Sequence, residues 1–176
     1  MEMSSAKHFH DFSINSENIT EYRLLRRGDL LAVEGEQEGI QYFHQGIFLG
    51  HDKGIAEFGG ATKRNATVRN VDLLQFTNYG KRRLVRILVN NQNCLPPEEA
   101  AQNAEKLIEN PHRWGPYDLL ANNCEHFAMK CKTGVAVSFQ VIQRLRECLK
   151  NPLQIIRYAG ASSGGVGSGF GSLGSR

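Results

Sequence analysis

A cysteine that follows two asparagines is the residue of this sequence best suited to do chemistry. A short amide side chain can accept hydrogen bonds from the free N–H groups of a first helical turn, so Asn122 and Asn123 predict a helix start. Cys124 would then lie in the first turn of a helix that runs to about Thr133 and stops at Gly134. The helix dipole and the unpaired N–H donors favour a thiolate there, and the same N–H groups could hold an oxyanion. Cys124 is therefore a candidate nucleophile, and a buried packing cysteine is the alternative.

Helix geometry excludes the nearest histidine as the partner of this cysteine. His126 lies two positions after Cys124, which places it on a different side of the helix. Phe127, Ala128 and Cys131 share the face of Cys124 and are predicted to pack. Any base for the cysteine must come from another part of the chain.

The clearest strand pattern in the sequence, residues 41–50, carries a histidine near its middle. Alternation places His44 on one face with Gly46 and Phe48. An imidazole can take the proton of a thiol and later return one to a leaving group, so His44 is the candidate general base. A core histidine with satisfied hydrogen bonds is the alternative interpretation.

The hairpin after this strand decides whether a carboxylate reaches the histidine. Residues 55–58 are predicted to form the returning arm. A hairpin loop of two or four residues would pair Glu57 with Gly46 and place it diagonally across the ladder from His44. A loop of three residues would shift the pairing by one and turn Glu57 away.

The remaining elements predict a small α+β domain. A strand is expected at residues 30–33 and a loop at 34–39, and apolar runs follow at 68–77 and 84–89. Pro96 and Pro97 then open a helix that Asn110 and Pro111 end. Because strands precede a helix and then the cysteine-bearing helix, we expect a small antiparallel sheet packed against helices.

Length and composition are those of one soluble domain. The chain has 176 residues, of which 40% are hydrophobic and 22% charged, enough for a sizeable core. No apolar run reaches the roughly 18 residues that a membrane span needs, and residues 1–10 lack a signal-peptide pattern. The four cysteines form no CxxC pair, so we expect a cytoplasmic protein with reduced thiols.

Positive charge is concentrated near the end of the chain. Residues 130–158 carry six basic groups and one acidic group, although the net charge of the whole chain is only +3. Apolar residues recur at helical spacing within 135–150, which predicts a basic amphipathic helix. An anionic membrane surface contacted by residues 137–158 is one expected partner, and a merely solvated helix face is the alternative. Nucleic acid is not expected, because no aromatic-studded basic face is present.

Four segments follow from these patterns. Residues 1–20 are expected to be flexible, 21–134 to form the catalytic domain, and 135–159 to form the basic helical segment. Residues 160–176 hold seven glycines and five serines, which predicts a disordered tail.

Two motifs together resemble one known family. The residues YFHQGIFLG around His44 and NCEHFA around Cys124 are similar to the lecithin:retinol acyltransferase-like family, which includes the phospholipase A/acyltransferases. The resemblance extends over about residues 25–134. It implies a permuted, papain-like architecture related to the NlpC-type cysteine peptidases. By position it also implies that Cys124 is the nucleophile and His44 the general base, with no metal or cofactor.

This chain departs from the family pattern at one candidate site position. Members of the family often carry a second histidine on the returning strand, where this chain has Ala56 and Glu57. Glu57 is the candidate orienting residue, since a carboxylate can fix the imidazole tautomer. His51 is a second candidate, but it belongs to the predicted turn. Family members also commonly end in a hydrophobic anchor, and here the basic segment is expected to make a peripheral contact instead.

The function that the resemblance implies is acyl chemistry on lipids. We expect a thiol acyltransferase or phospholipase A-type hydrolase that acts on phospholipid or other acyl esters through a thioester on Cys124. A cysteine peptidase or amidase would use the same chemistry on another substrate. A non-catalytic interaction protein is the third alternative, because Ala56 and Glu57 alter the third site position.

Overall fold

A computed structural model of the protein describes residues 15–37, 40–89 and 94–150. The predicted tail at 160–176 and the first fourteen residues of the expected flexible N-terminus lie outside this range. So does the part of the basic segment that follows Lys150.

One antiparallel sheet and four helices make up the described part of the chain. The strands lie in the order β1-β6-β2-β3-β4-β5, and every neighbouring pair is antiparallel. The predicted α+β class with an antiparallel sheet against helices is confirmed. The strands are β1 Asn15–Asn18, β2 Leu30–Gln37, β3 Ile40–Gly50, β4 Gly54–Gly59, β5 Thr67–Val71 and β6 Leu84–Leu88, and the helices are α1 Leu73–Phe76, α2 Pro97–Glu109, α3 Cys124–Thr133 and α4 Phe139–Lys150.

Apolar side chains on both faces of the central strands are buried, because consecutive strand residues point to opposite sides. Leu30 and Ile47 belong to a core shared with α2 and α3, whereas their neighbours Leu31 and Phe48 belong to a second core. In the first core the helices contribute Ala101, Ala104, Phe127, Ala128, Met129 and Cys131. The cysteine-bearing helix is therefore packed against one face of the sheet, and a second apolar core covers the other.

The β3–β4 hairpin has the register that brings Glu57 towards His44. Gly46 pairs with Glu57, the register that the sequence left open and tied to a loop of two or four residues. Gly50 pairs with Gly54, so three residues form the turn, and a register shift between Phe48 and Gly50 compensates for the odd loop length. A bulge adds one unpaired residue to a strand, which reverses the shift that a three-residue loop would impose.

Two segments are more ordered than their sequence indicates. Strand β2 continues to Gln37 through the predicted loop, because it pairs with β3 along its whole length. Strand β1 lies within the segment expected to be flexible and pairs with β6. Its four side chains are exposed, so backbone hydrogen bonds and the Glu17–Arg86 ion pair hold it rather than apolar burial.

Helix α4 begins later than the apolar spacing indicates. The pattern from residue 135 predicts a helix there, but α4 starts at Phe139. The Ser138 hydroxyl accepts a hydrogen bond from the Val141 N–H at 3.2 Å, which is the geometry of an N-cap. No helix among the described residues is long and apolar enough to cross a membrane.

Candidate active site

The start of α3 is built by the asparagine that precedes Cys124. Asn123 has an extended backbone, and its Oδ1 accepts hydrogen bonds from the N–H groups of Glu125 and His126 at 2.9 and 3.2 Å. Gly134 ends the helix with φ at +80°, as predicted. Cys124 is thus the first residue of α3, in the place that sequence alone predicted.

The side chain of His126 completes this cap. Its Nδ1 accepts a hydrogen bond from the Asn123 N–H at 3.2 Å, which makes the two residues a capping box. Burial lowers the pKa of His126. The imidazole of His126 is thus used to cap the helix, a role that the sequence analysis did not assign to it.

His44, Glu57 and Arg69 form a hydrogen-bonded line across three strands. His44 Nε2 lies 2.7 Å from Glu57 Oε2, and Glu57 Oε1 accepts hydrogen bonds from Arg69 Nε and Nη2 at 2.9 and 2.8 Å. The side chains of His44 and Glu57 are 14% and 7% exposed. The two carboxylate oxygens are thus divided between an imidazole and a guanidinium.

These contacts keep Glu57 ionised in spite of its burial. Burial alone would raise the pKa of Glu57, but the hydrogen bonds from His44 and Arg69 outweigh it and the pKa is lowered. A buried carboxylate that stays charged can orient an imidazole and stabilise its protonated form.

The Cys124 side chain reaches the same imidazole. Burial lowers the pKa of His44, but the negative charge of a Cys124 thiolate, a hydrogen bond that the protonated imidazole donates to its sulfur and the contact with Glu57 together raise it to about 10. The structure therefore brings together the three residues that the sequence nominated, Cys124, His44 and Glu57. The second orienting candidate, His51, lies in the turn with its ring against that of Phe48, and Ala56 is buried in the core shared with α2 and α3.

The raised pKa of His44 predicts a specific pH dependence. Because the folded pKa of about 10 exceeds the ordinary value of 6.5, the stabilisation from this proton is present in full below pH 6.5 and is lost as the pH rises through about 10. In an NMR titration, the imidazole Cε1–H of His44 should keep its protonated shift through the physiological range. The change Cys124→Ala should move the midpoint down, and a wild-type midpoint at the ordinary value would contradict the arrangement.

Two tyrosines that sequence analysis did not nominate surround the cysteine. Burial raises the pKa of Tyr117, and the neighbouring Cys124 raises it further. Burial and Cys124 act in the same direction on Tyr42. The Tyr117 ring is fixed by Phe58, with centroids 5.1 Å apart. No pattern in the sequence indicated that these two side chains would lie near Cys124.

A cavity of about 610 Å³ opens beside this cluster. Its lining includes His44, Glu57 and Tyr117, together with the cationic side chains of Arg69 and Arg82. The volume is within the range typical of small-molecule sites. Cys124 itself is only 3% exposed and is not one of the residues that line this cavity.

A second cysteine on α3 has a contrasting environment. Cys131 is fully buried in the core that the sheet shares with α2 and α3, and burial raises the pKa of its thiol to about 12. It stays protonated at neutral pH and packs, as the sequence predicted. All four cysteines carry free thiols.

Comparison with known proteins assigns the chain to a protein family. A family model described as lecithin retinol acyltransferase matches residues 23–137, which is more than half of the chain. The chain belongs to the lecithin retinol acyltransferase family, and the resemblance predicted from the two motifs is confirmed.

Two relatives show how far the similarity extends. The chain is 41% identical to lecithin retinol acyltransferase of Bos taurus and 39% identical to that of Homo sapiens, each over 83 residues. Each alignment covers 46% of this chain and 34% of the relative, so the chain spans about a third of the length of these curated relatives. No solved structure gives a significant match, and the permuted papain-like architecture stays a prediction.

Proposed function

We propose that this chain is a thiol acyltransferase or phospholipase A-type hydrolase that acts on phospholipid acyl esters. The observation that carries the proposal is the contact of His44 with both Cys124 and Glu57. A nucleophile, a base and an orienting carboxylate are the parts that acyl transfer through a covalent intermediate requires. The relatives' name, lecithin retinol acyltransferase, supports a phospholipid as acyl donor.

The first half of the reaction forms a thioester. The Cys124 thiolate attacks the ester carbonyl while protonated His44 is held by Glu57. A C–S bond forms, and the Cys124 backbone N–H at the start of α3 stabilises the oxyanion. The ester C–O bond then breaks, and the imidazolium proton of His44 passes to the departing alkoxide, which leaves as the lysophospholipid.

The second half releases the acyl chain. Water, an alcohol or an amine attacks the thioester, and His44 accepts its proton. The C–S bond breaks, which restores the thiolate and yields a fatty acid or an acylated acceptor. Every proton in this proposed reaction moves through His44, so no metal or cofactor has to take part.

The basic helix α4 supports a peripheral contact with a membrane at the cytoplasmic side. Its exposed apolar residues Ile142, Leu145 and Leu149 are accompanied by Arg146 and Lys150. Apolar and basic groups together favour an anionic lipid surface.

The protein should float with vesicles that contain anionic lipid and should be released by high salt. Equal flotation with neutral vesicles would contradict an electrostatic contact.

A mixed-acyl phosphatidylcholine tests the proposed activity. The protein is incubated with vesicles in which the two acyl positions carry different chains, with and without an added alcohol or amine. Released fatty acid, or the acylated acceptor, is expected from wild-type protein and not from Cys124→Ala. If a peptide panel is cleaved and the lipid is not, the chain is instead a peptidase. If nothing is turned over, the proposal fails.

A further inference from the structure

The first part of the strand that carries His44 has no strand partner on its β4 side among the described residues. Pairing between β3 and β4 ends at Gly46 and Glu57, although β3 begins earlier, at Ile40. In this gap the side chain of Gln140 takes the place of a strand. Its Oε1 accepts a hydrogen bond from the Phe43 N–H at 2.6 Å, and its Nε2 donates to the Phe43 carbonyl at 3.0 Å.

The same amide also holds the residue next to the nucleophile. Gln140 Nε2 donates to Glu125 Oε2 at 3.1 Å, and the Gln140 backbone N–H donates to the same oxygen at 3.1 Å. The Ser138 hydroxyl donates to it as well, at 2.5 Å. Glu125 is only 3% exposed, so these donors replace water around a buried carboxyl group.

Gln140 therefore bridges the two halves of the candidate site. Phe43 directly precedes His44 on β3, and Glu125 directly follows Cys124 on α3. A glutamine amide carries both an acceptor oxygen and two donor hydrogens, and here each is used. An apolar side chain at this position would leave the Phe43 backbone groups and one Glu125 contact unpaired.

We propose that Gln140 is a positioning residue that sets the spacing between the His44 imidazole and the Cys124 thiol. The proposal rests on the proposed function, because it gives that chemistry its alignment. It also extends the functional unit into α4, beyond residue 137, where the family match ends. The amphipathic helix is then part of the apparatus that holds the catalytic pair, as well as a surface segment.

Alkylation of Cys124 tests the positioning role of Gln140 without any lipid. The full chain is treated with iodoacetamide over a range of pH, and the rate at Cys124 is followed by peptide mass spectrometry. The variants are Gln140→Ala and Gln140→Met, the second of which keeps the side-chain volume. Gln143→Ala is the matched control, since that amide lies on the exposed face of α4 and donates a hydrogen bond to Glu147 at 3.1 Å.

Loss of alignment should lower Cys124 alkylation at neutral pH by about 10-fold and shift its rate profile to higher pH. Gln143→Ala should leave the profile unchanged. In the lipid assay, Gln140→Met should reduce kcat more than it raises KM. Circular dichroism melting shows whether each variant is folded.

Each remaining outcome decides the matter. A wild-type alkylation profile in folded Gln140→Ala or Gln140→Met would overturn the proposal, and unfolding of both variants would assign Gln140 to stability alone. If alkylation depends on Gln140 while wild-type protein turns over no lipid, the proposed function fails and the positioning role stands. If lipid turnover is normal in both variants, the positioning role fails and the function stands.

Discussion

Cys124→Ala is expected to abolish lipid acyl turnover, with a loss of at least about 1,000-fold in kcat. The reason is that the thiolate is the only protein group in the proposed reaction that bonds to the acyl carbon. Residual turnover from the oxyanion site and from His44 acting on water would be small. The measurement is fatty acid release from phosphatidylcholine vesicles, together with alkylation by iodoacetamide at neutral pH.

Cys131→Ala is the matched control for that change. Both cysteines lie on α3 and both are buried, but burial raises the pKa of Cys131 to about 12 and leaves it a packing residue. Its replacement should spare both turnover and the fast phase of alkylation. Equal alkylation of the two single variants would show that Cys124 has no special reactivity and would contradict the assignment.

Glu57→Gln is expected to lower kcat/KM by about 100-fold to 10,000-fold. The substitution keeps the shape of the side chain but removes the charge that stabilises protonated His44. It also offers the imidazole an amide that can donate where the carboxylate only accepts. Because Glu57 is one of the groups that raise the pKa of His44, the pKa should fall in this variant, and the imidazole signal should titrate at lower pH.

Glu34→Gln controls for the loss of a carboxylate from the same sheet. Glu34 forms an ion pair with Arg83 at 2.6 Å, with both side chains half exposed. Such exposed pairs contribute little to stability, so activity should stay close to that of the wild type. If Glu57→Gln and Glu34→Gln behaved alike, the third site position would have no orienting role.

Sequence rules predicted where the two central candidate residues lie in the fold, for identifiable reasons. Helix-capping rules placed Cys124 at a helix start, and strand alternation placed His44 on the face that Glu57 reaches. The register of the β3–β4 hairpin stayed open, because it depended on the length of the loop. The bulge near Gly50, which sets the register, could not be seen in the sequence. A bulge changes the pairing by one residue without leaving a distinctive residue type behind.

Other contacts depend on distances that no local pattern encodes. Arg69 pairs directly with Glu57 across β4 and β5, but the register of β5 follows a connection of seven residues, 60–66, with no hairpin signature. Gln140 reaches Phe43 from almost a hundred positions away, through a side-chain contact rather than a secondary-structure rule. The opposite charges of Glu57 and Arg69 were the one signal that could have suggested their pairing.

The position of α4 shows the same limit. Apolar spacing predicted a helix from residue 135, whereas the buried Ser138 sets its start. Periodicity reports which face is apolar, and capping contacts decide where the helix begins.

The most direct test of a Cys124 acyl-enzyme is to trap it. The 176-residue chain is mixed with phosphatidylcholine, quenched in acid within one turnover, digested and analysed by mass spectrometry. The account predicts one acyl chain on the peptide that contains Cys124, removable by neutral hydroxylamine and absent from Cys124→Ala. Steady turnover with the acyl chain on another residue, or turnover that continues after complete alkylation of Cys124, would contradict it.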